Sequence, residues 1–362
     1  MFTSLTHAAA ALLTLADTTA PQVRIDTTAS EIVVTVSGLR IPAATAYAGH
    51  AEQRVAFAWP ATGWLRGYRI DVLDSAGNML PRELLHHAGI VNPGRRQLAY
   101  PIAERLVAAG RETAPVLLPE SMGVPIATAQ ELIAYFMLVN PGEHDIEGAS
   151  LRIAFAWIPH RSTRPPRDVL PVFLSASPKE VSGGASTFDV APGVSATSAE
   201  FTLPVGGRFR AMGGHLHDYA VEIRLEDVRS GRVLARLRAD RAKDGRVNGV
   251  EVAQFFWTRG GLRLEANRQY RVVALYDNPT CRAVTGAMAS LAGPFAPDDL
   301  TRWPVVDAYD PRFIADQRTR NAGEEPVTHE THADAHAGHD MGAAHAGHGI
   351  LAVQPAPRGT CQ

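Results

Sequence analysis

Apolar and polar side chains alternate along much of this chain. In Leu151–Trp157, Leu151, Ile153, Phe155 and Trp157 fall on one parity, and a period of two places them on one face of a strand. Tyr68, Ile70 and Val72 share a face in Tyr68–Asp74. In Tyr219–Asp227 the same rule sends Tyr219, Val221, Ile223 and Leu225 inward and Glu222, Arg224 and Glu226 outward. Glu31–Leu39, Arg54–Pro60, Val233–Leu237 and Gln269–Tyr276 are short runs rich in β-branched or aromatic residues, which suit a pleated, half-buried surface. Ser75-Ala76-Gly77-Asn78 and Ser230-Gly231 carry hairpin-turn chemistry. Two stretches compete as helices. Ile102–Ala109 is a helix candidate; Gln130–Val139 fits either period, but its aromatics and the Asn140-Pro141-Gly142 stop favour a strand.

Many short strands punctuated by turns predict an all-β protein built of two consecutive antiparallel β-sandwich (jelly-roll-like) domains. The Pro/Arg-rich stretch Pro159–Pro171 reads as their linker, leaving residues 30–158 and 170–300 as the sandwiches. Periodicity fades beyond Asp307. From 321 to 362 the chain is rich in Ala, Gly, His and Glu, a composition expected to stay disordered without metal.

Hydrophobic content of 46% and charged content of 20% are globular values, and a net charge of −2 argues against a nucleic-acid partner. No apolar run approaches the roughly 18 residues of a membrane span. Ala8–Ala16 is long enough for the apolar core of an export signal, although no positive charge from Lys or Arg precedes it. Read as a signal peptide, residues 1–20 imply a periplasmic or secreted protein. Cys281 and Cys361 either pair in such a compartment, tying the tail to the body, or stand as two thiols.

Chemistry concentrates in the histidines and methionines. His86-His87 lies in the first half, and His215-Leu216-His217 with Met288 downstream in the second. In a strand, i and i+2 project to one face, so His215 and His217 can offer two imidazoles to one ion; Gly213-Gly214 leaves room for a bend beside them. Adjacent His86 and His87 can do so only at a bulge or a strand end. Their third partner is open among Met137, His144 and His50, and Met137 reads equally as a core residue. The tail adds His329, His332, His336, His339, Met341, His345 and His348, a flexible set fit to collect metal. Imidazole with thioether is the donor choice for copper, including Cu(I).

These motifs resemble the copper type II, ascorbate-dependent monooxygenases, the family of dopamine β-monooxygenase and peptidylglycine α-hydroxylating monooxygenase, in a divergent form. The family has two consecutive sandwiches: the first holds an electron-transfer copper, the second an O2-activating copper bound by His-x-His and a distant Met. His86-His87 matches the first pair; His215, His217 and Met288 match the second set in order and spacing. The resemblance covers about 30–300. Ala108–Glu112, Leu118-Pro119 and Gly123–Ile126 resemble the stretch before the family's third histidine, whose place in Phe136–Pro141 is taken here by Met137. Peptide-amidating members carry an Arg where this chain has Gly213, and the groups expected after the Met are replaced by Ala289–Gly293.

The resemblance implies two coppers, ascorbate or another external reductant, and hydroxylation of a C–H bond in a small-molecule substrate at the His215/His217/Met288 site. The alternative is a non-catalytic envelope protein that stores copper or exchanges it with a donor or acceptor protein.

Overall fold

The computed structural model describes residues 20–43, 52–255 and 260–322. The export-signal stretch, His50, Cys361 and the histidines and Met341 of the tail lie outside the described residues. The fold is all-β. The first half contributes β1 (Gln22–Asp26), β2 (Glu31–Ile41), β3 (Gln53–Ala58), β4 (Gly63–Leu73), β5 (Leu85–Arg96), β6 (Ala103–Gly110), β7 (Val116–Leu117), β8 (Met122–Ile126), β9 (Glu131–Leu138), β10 (Ile146–Pro159) and β11 (Arg167–Asp168). The second contributes β12 (Leu170–Ser175), β13 (Phe188–Val190), β14 (Gly193–Thr202), β15 (Gly207–Phe209), β16 (Ala211–Leu216), β17 (Ala220–Asp227), β18 (Val233–Arg241), β19 (Val247–Val250), β20 (Ala253–Gln254), β21 (Leu262–Leu264), β22 (Gln269–Asn278), β23 (Val284–Ala287) and β24 (Ala289–Pro297). A helix, α1 (Pro311–Ala322), follows.

In the first half, a sheet ordered β1-β2-β10-β4-β8-β11, with β7 also on β4, stacks on the sheet β3-β9-β5-β6. Alternation along β10 sends Leu151, Ile153 and Phe155 into the space between them, where Phe155 meets Trp59 edge-on at 5.3 Å. In the second half, the sheet β20-β16-β24-β15-β21, with β12 on β24, stacks on β14-β22-β17-β18-β19. The apolar core runs without a break through both halves, from Phe136 and Phe155 to Phe209 and Phe295.

Three sequence expectations change. The helix candidate Ile102–Ala109 is strand β6; its side chains are nearly all buried, because β5 pairs one edge while β12 packs across it. A run covered on both sides loses the polar face by which a period is read. The stretch read as a linker carries β11, which pairs in parallel with β8, so it is tied to the first half. At the start of β17, Tyr219 is a turn residue at φ +68°, and a register shift between Ala220 and Glu222 breaks the alternation; Val221 is only half-buried and Glu222 is buried.

Helix α1 was not legible from periodicity. It returns from the second half onto β6. Phe313 packs with Val91 and Ala103, and the Asp316 carboxylate pairs with the Arg105 guanidinium while accepting a hydrogen bond from the Ala103 backbone N–H at 3.0 Å.

Candidate metal centre between the halves

Strand β5 pairs Leu85 with Leu138 and His87 with Met137, so two residues on β5 span one step on β9 and His86 is the extra residue of a bulge. This is the distortion that lets neighbouring histidines serve one site. Leu85 and Ala88 remain in the core, while His86 and His87, 6% and 7% exposed, approach each other with ring centroids 4.8 Å apart.

On β16, His215 pairs with Ser290 and Leu216 with Ala289 of β24. Leu216 is in the core, and a side chain at Gly214 would press on Ile223 and Leu237 of the opposite sheet. The other parity, Gly213 and His215, therefore faces the first half. His217 stands just past the strand; its backbone N–H extends the ladder to the Met288 carbonyl at 3.3 Å. The Tyr276 hydroxyl donates to that same carbonyl at 3.0 Å. The ring centroids of His215 and His217 are 4.9 Å apart.

The two pairs meet. His86 and His217 contact edge-on at 5.3 Å, so four imidazoles run in file, His87–His86–His217–His215, across the seam. Sequence reasoning places the pairs in separate domains; the fold brings them into one cluster. Met288 lines a cavity of about 40 Å³ together with His87, His215, Glu52, Tyr135 and Glu180. Met137 lies directly opposite His87 across the β5–β9 ladder and is buried, but it does not line that cavity. His144 is exposed in the loop after β9, unlike the buried His86, His87 and His217.

Sequence reasoning missed the residues that orient the rings. Glu52 bonds His87 Nε2 at 2.8 Å and also accepts from Arg54 at 3.1 Å. Glu112 reaches across the seam to His215 Nδ1 at 2.6 Å. Beside it Arg111 crosses to Asp218 at 2.5 Å. The ring of His217 is hydrogen-bonded to the Gly286 backbone. Two glycines make room: a Cβ at Gly110 would collide with the Glu112 carboxylate, and one at Gly89 with the Tyr135 ring. Such glycines, each opposite a polar side chain on a seam-facing strand, were the available sequence signal.

Burial sets the protonation states. It drives the affinity of His86 for protons far below the ordinary imidazole value, and His87, His217, His215 and Arg111 push the same way. His217 is also lowered well below its ordinary value, by burial first and then by His215, His87 and Arg111, against its bond to Gly286. Burial also opposes charge on His215, but the facing Glu112 charge overcomes it and raises His215; Glu112 is lowered despite its own burial because His215 stabilises the carboxylate. His215 and Glu112 thus each favour the other's charged form, whereas burial keeps His86 and His217 neutral, with lone pairs suited to a metal.

The donor types gathered here, imidazole and thioether, are ones that copper takes. His87 and His215 each bind a carboxylate through one ring nitrogen, the arrangement that fixes tautomer and direction for a metal at the other. His87 Nδ1, the nitrogen left over, is buried and makes no hydrogen bond among the described residues. Neutral imidazoles beside a thioether are soft donors. As the side chains stand, no group of three or more His, Cys, Asp or Glu among the described residues is disposed to hold a metal ion; the imidazoles form a file of pairwise contacts.

No family model and no curated protein matches the chain. Among solved structures, PNGF-II aligns at 12% identity and TM-score 0.34 over 72% of this chain, which spans 65% of that chain. The mavirus major capsid protein aligns at 10% identity and TM-score 0.24, over 83% of this chain and 93% of that one. The Sputnik virophage structure gives 10% and 0.24, over 91% and 97%.

Proposed function

We propose that the four-histidine cluster binds copper and that the protein is a copper-dependent monooxygenase, acting in the periplasm or outside the cell with ascorbate or another external reductant. One observation carries this reading: three buried imidazoles and the partly buried His215 meet across the seam, two of the four aimed by carboxylates, beside a cavity shared with the Met288 thioether. Bound copper would supply O2 activation and one-electron transfer. The balance is that of a hydroxylation: one oxygen atom enters a C–H bond, the other leaves as water, and the reductant provides two electrons alongside two protons.

The chain's own part is to hold and to exclude. Glu52, Glu112 and the Gly286 carbonyl each hold one nitrogen of a ring, those of His87, His215 and His217 in turn, and leave the other nitrogen for a metal. Burial keeps His86 and His217 neutral, which removes proton competition for their lone pairs. Packing at the seam buries His86, His87 and His217.

The test is copper content of the full chain after loading with Cu(I) and removal of excess, compared with a His215→Ala/His217→Ala double variant, followed by O2 uptake with ascorbate. The double variant should retain less copper and lose uptake. Equal copper content in the two proteins would overturn the reading. Copper held by the cluster without uptake above the double variant would identify the alternative, a copper storage or delivery protein.

Met288→Ile removes the thioether at near-constant volume. It should weaken Cu(I) retention and abolish uptake with little change in unfolding midpoint. An unchanged Cu(I) affinity would remove Met288 from the ligand set.

A further inference from the structure

A second, larger cavity of about 350 Å³ opens along the seam; it shares His215 and Ser290 with the small cavity beside the histidine cluster, and Glu112, which bonds His215, also lines it. We infer that it takes an uncharged, predominantly apolar small molecule and presents it to the cluster at its His215–Glu112 end. This rests on the function proposed above and names the class of substrate for it.

The lining sets the class. Leu106, Val116, Phe155, Met212, Val250 and Pro294 form much of the wall, drawn from both halves. Leu117 and Val252 belong to the same lining, yet are 65% and 53% exposed. They mark the mouth, so the apolar surface continues outward to where a ligand enters. The volume lies in the range of small-molecule sites, about 300–1,000 Å³.

Four polar groups on the wall are engaged within the protein. The Tyr68 hydroxyl donates to the Ala108 carbonyl at 3.0 Å. Arg66 donates to the Leu118 carbonyl at 2.9 Å and faces Glu120, and Arg105 is held by Asp316. The Thr113 hydroxyl lies on Glu112 at 3.3 Å. Each of these cations already has a carboxylate partner within the protein, Glu120 at 3.7 Å for Arg66 and Asp316 for Arg105, so a ligand carboxylate would enter without a counter-charge of its own, at a substantial desolvation cost. A Cβ at Gly213 meets nothing within 4 Å. That opening is cavity, two residues along β16 from His215.

The experiment needs no copper, so its outcome is separable from that of the metal reading. Metal-free full-length protein is titrated with the neutral fluorophore N-phenyl-1-naphthylamine, then competed with 1-octanol and with octanoate. We expect saturable binding, and displacement by octanol at a concentration lower by about tenfold or more than by octanoate, given the cost of burying an unpaired carboxylate. Gly213→Trp fills the opening and should weaken fluorophore binding by about tenfold, equivalent to one indole's worth of lost contact space, without lowering the unfolding midpoint. Octanoate competing as well as octanol would overturn the inference, because the cavity would then be one that selects anions. No saturable binding to the wild-type chain would also overturn it, as would an unchanged affinity in a folded Gly213→Trp protein. In each of those cases the copper-content comparison stands unaffected.

Discussion

Replacing Asp316 with Ala should destabilise the protein by about 3–5 kcal/mol, read as a fall in the urea unfolding midpoint at unchanged slope. The Arg105 guanidinium is only 2% exposed, and Asp316 supplies its counter-charge through two contacts, one of them between Arg105 Nη1 and Asp316 Oδ2 at 3.2 Å. Truncation leaves a buried cation without the Asp316 counter-charge, and it also strips the Ala103 N–H of its acceptor. The cost belongs to the broken pair, not to the presence of the pair as such. A double variant, Arg105→Met with Asp316→Leu, should recover much of the loss, because burying two ions costs nearly what their attraction returns. A loss below about 1 kcal/mol in the single variant would mean that α1 does not clamp β6. Since β6 leads through Gly110 to Glu112, loosening this clamp should also lower copper retention.

The strands whose side chains alternate between core and solvent were legible in the sequence, because that alternation is what burial on one face requires. Leu151–Trp157, read by its alternation, and Glu31–Leu39 and Gln269–Tyr276, read by their β-branched and aromatic content, fall within strands β10, β2 and β22. Strand β6 was not legible, since a sequence buried on both faces carries no polar phase. Nor was α1, whose attachment depends on Phe313 and Asp316 rather than on a continuous apolar stripe. At the site, each histidine pair was visible through short spacing alone. What brings the pairs together was not, because it depends on one sheet of each half turning a face to the seam. The carboxylates were invisible for a related reason: Glu52 reaches a histidine 35 residues away and Glu112 one 103 residues away. No local pattern encodes contacts of that range.

Glu112→Gln should reduce Cu(I) affinity by about 10–100-fold, the usual cost of losing a carboxylate behind a ligating histidine. The variant keeps shape and removes charge. The His215 Nδ1–H would still find an amide oxygen, but the ring would lose the electrostatic support that makes its other nitrogen a stronger donor. Affinity is best measured by competition with a chromophoric Cu(I) chelator, and the electron paramagnetic resonance spectrum of the Cu(II) form gives a second readout of ligand geometry. A purely structural role for Glu112 would lower the unfolding midpoint and leave affinity and spectrum unchanged. Gly110→Ala supplies an independent approach to the same contact, since its new methyl presses on the Glu112 carboxylate while removing neither charge nor ligand. It should reproduce part of the affinity loss. In the Gly110→Ala/Glu112→Gln double variant the two effects should not add, because both act through a single hydrogen bond to His215. Full additivity would mean that Gly110 and Glu112 influence the cluster by separate routes, and Glu112 would lose its place as the positioning residue for His215.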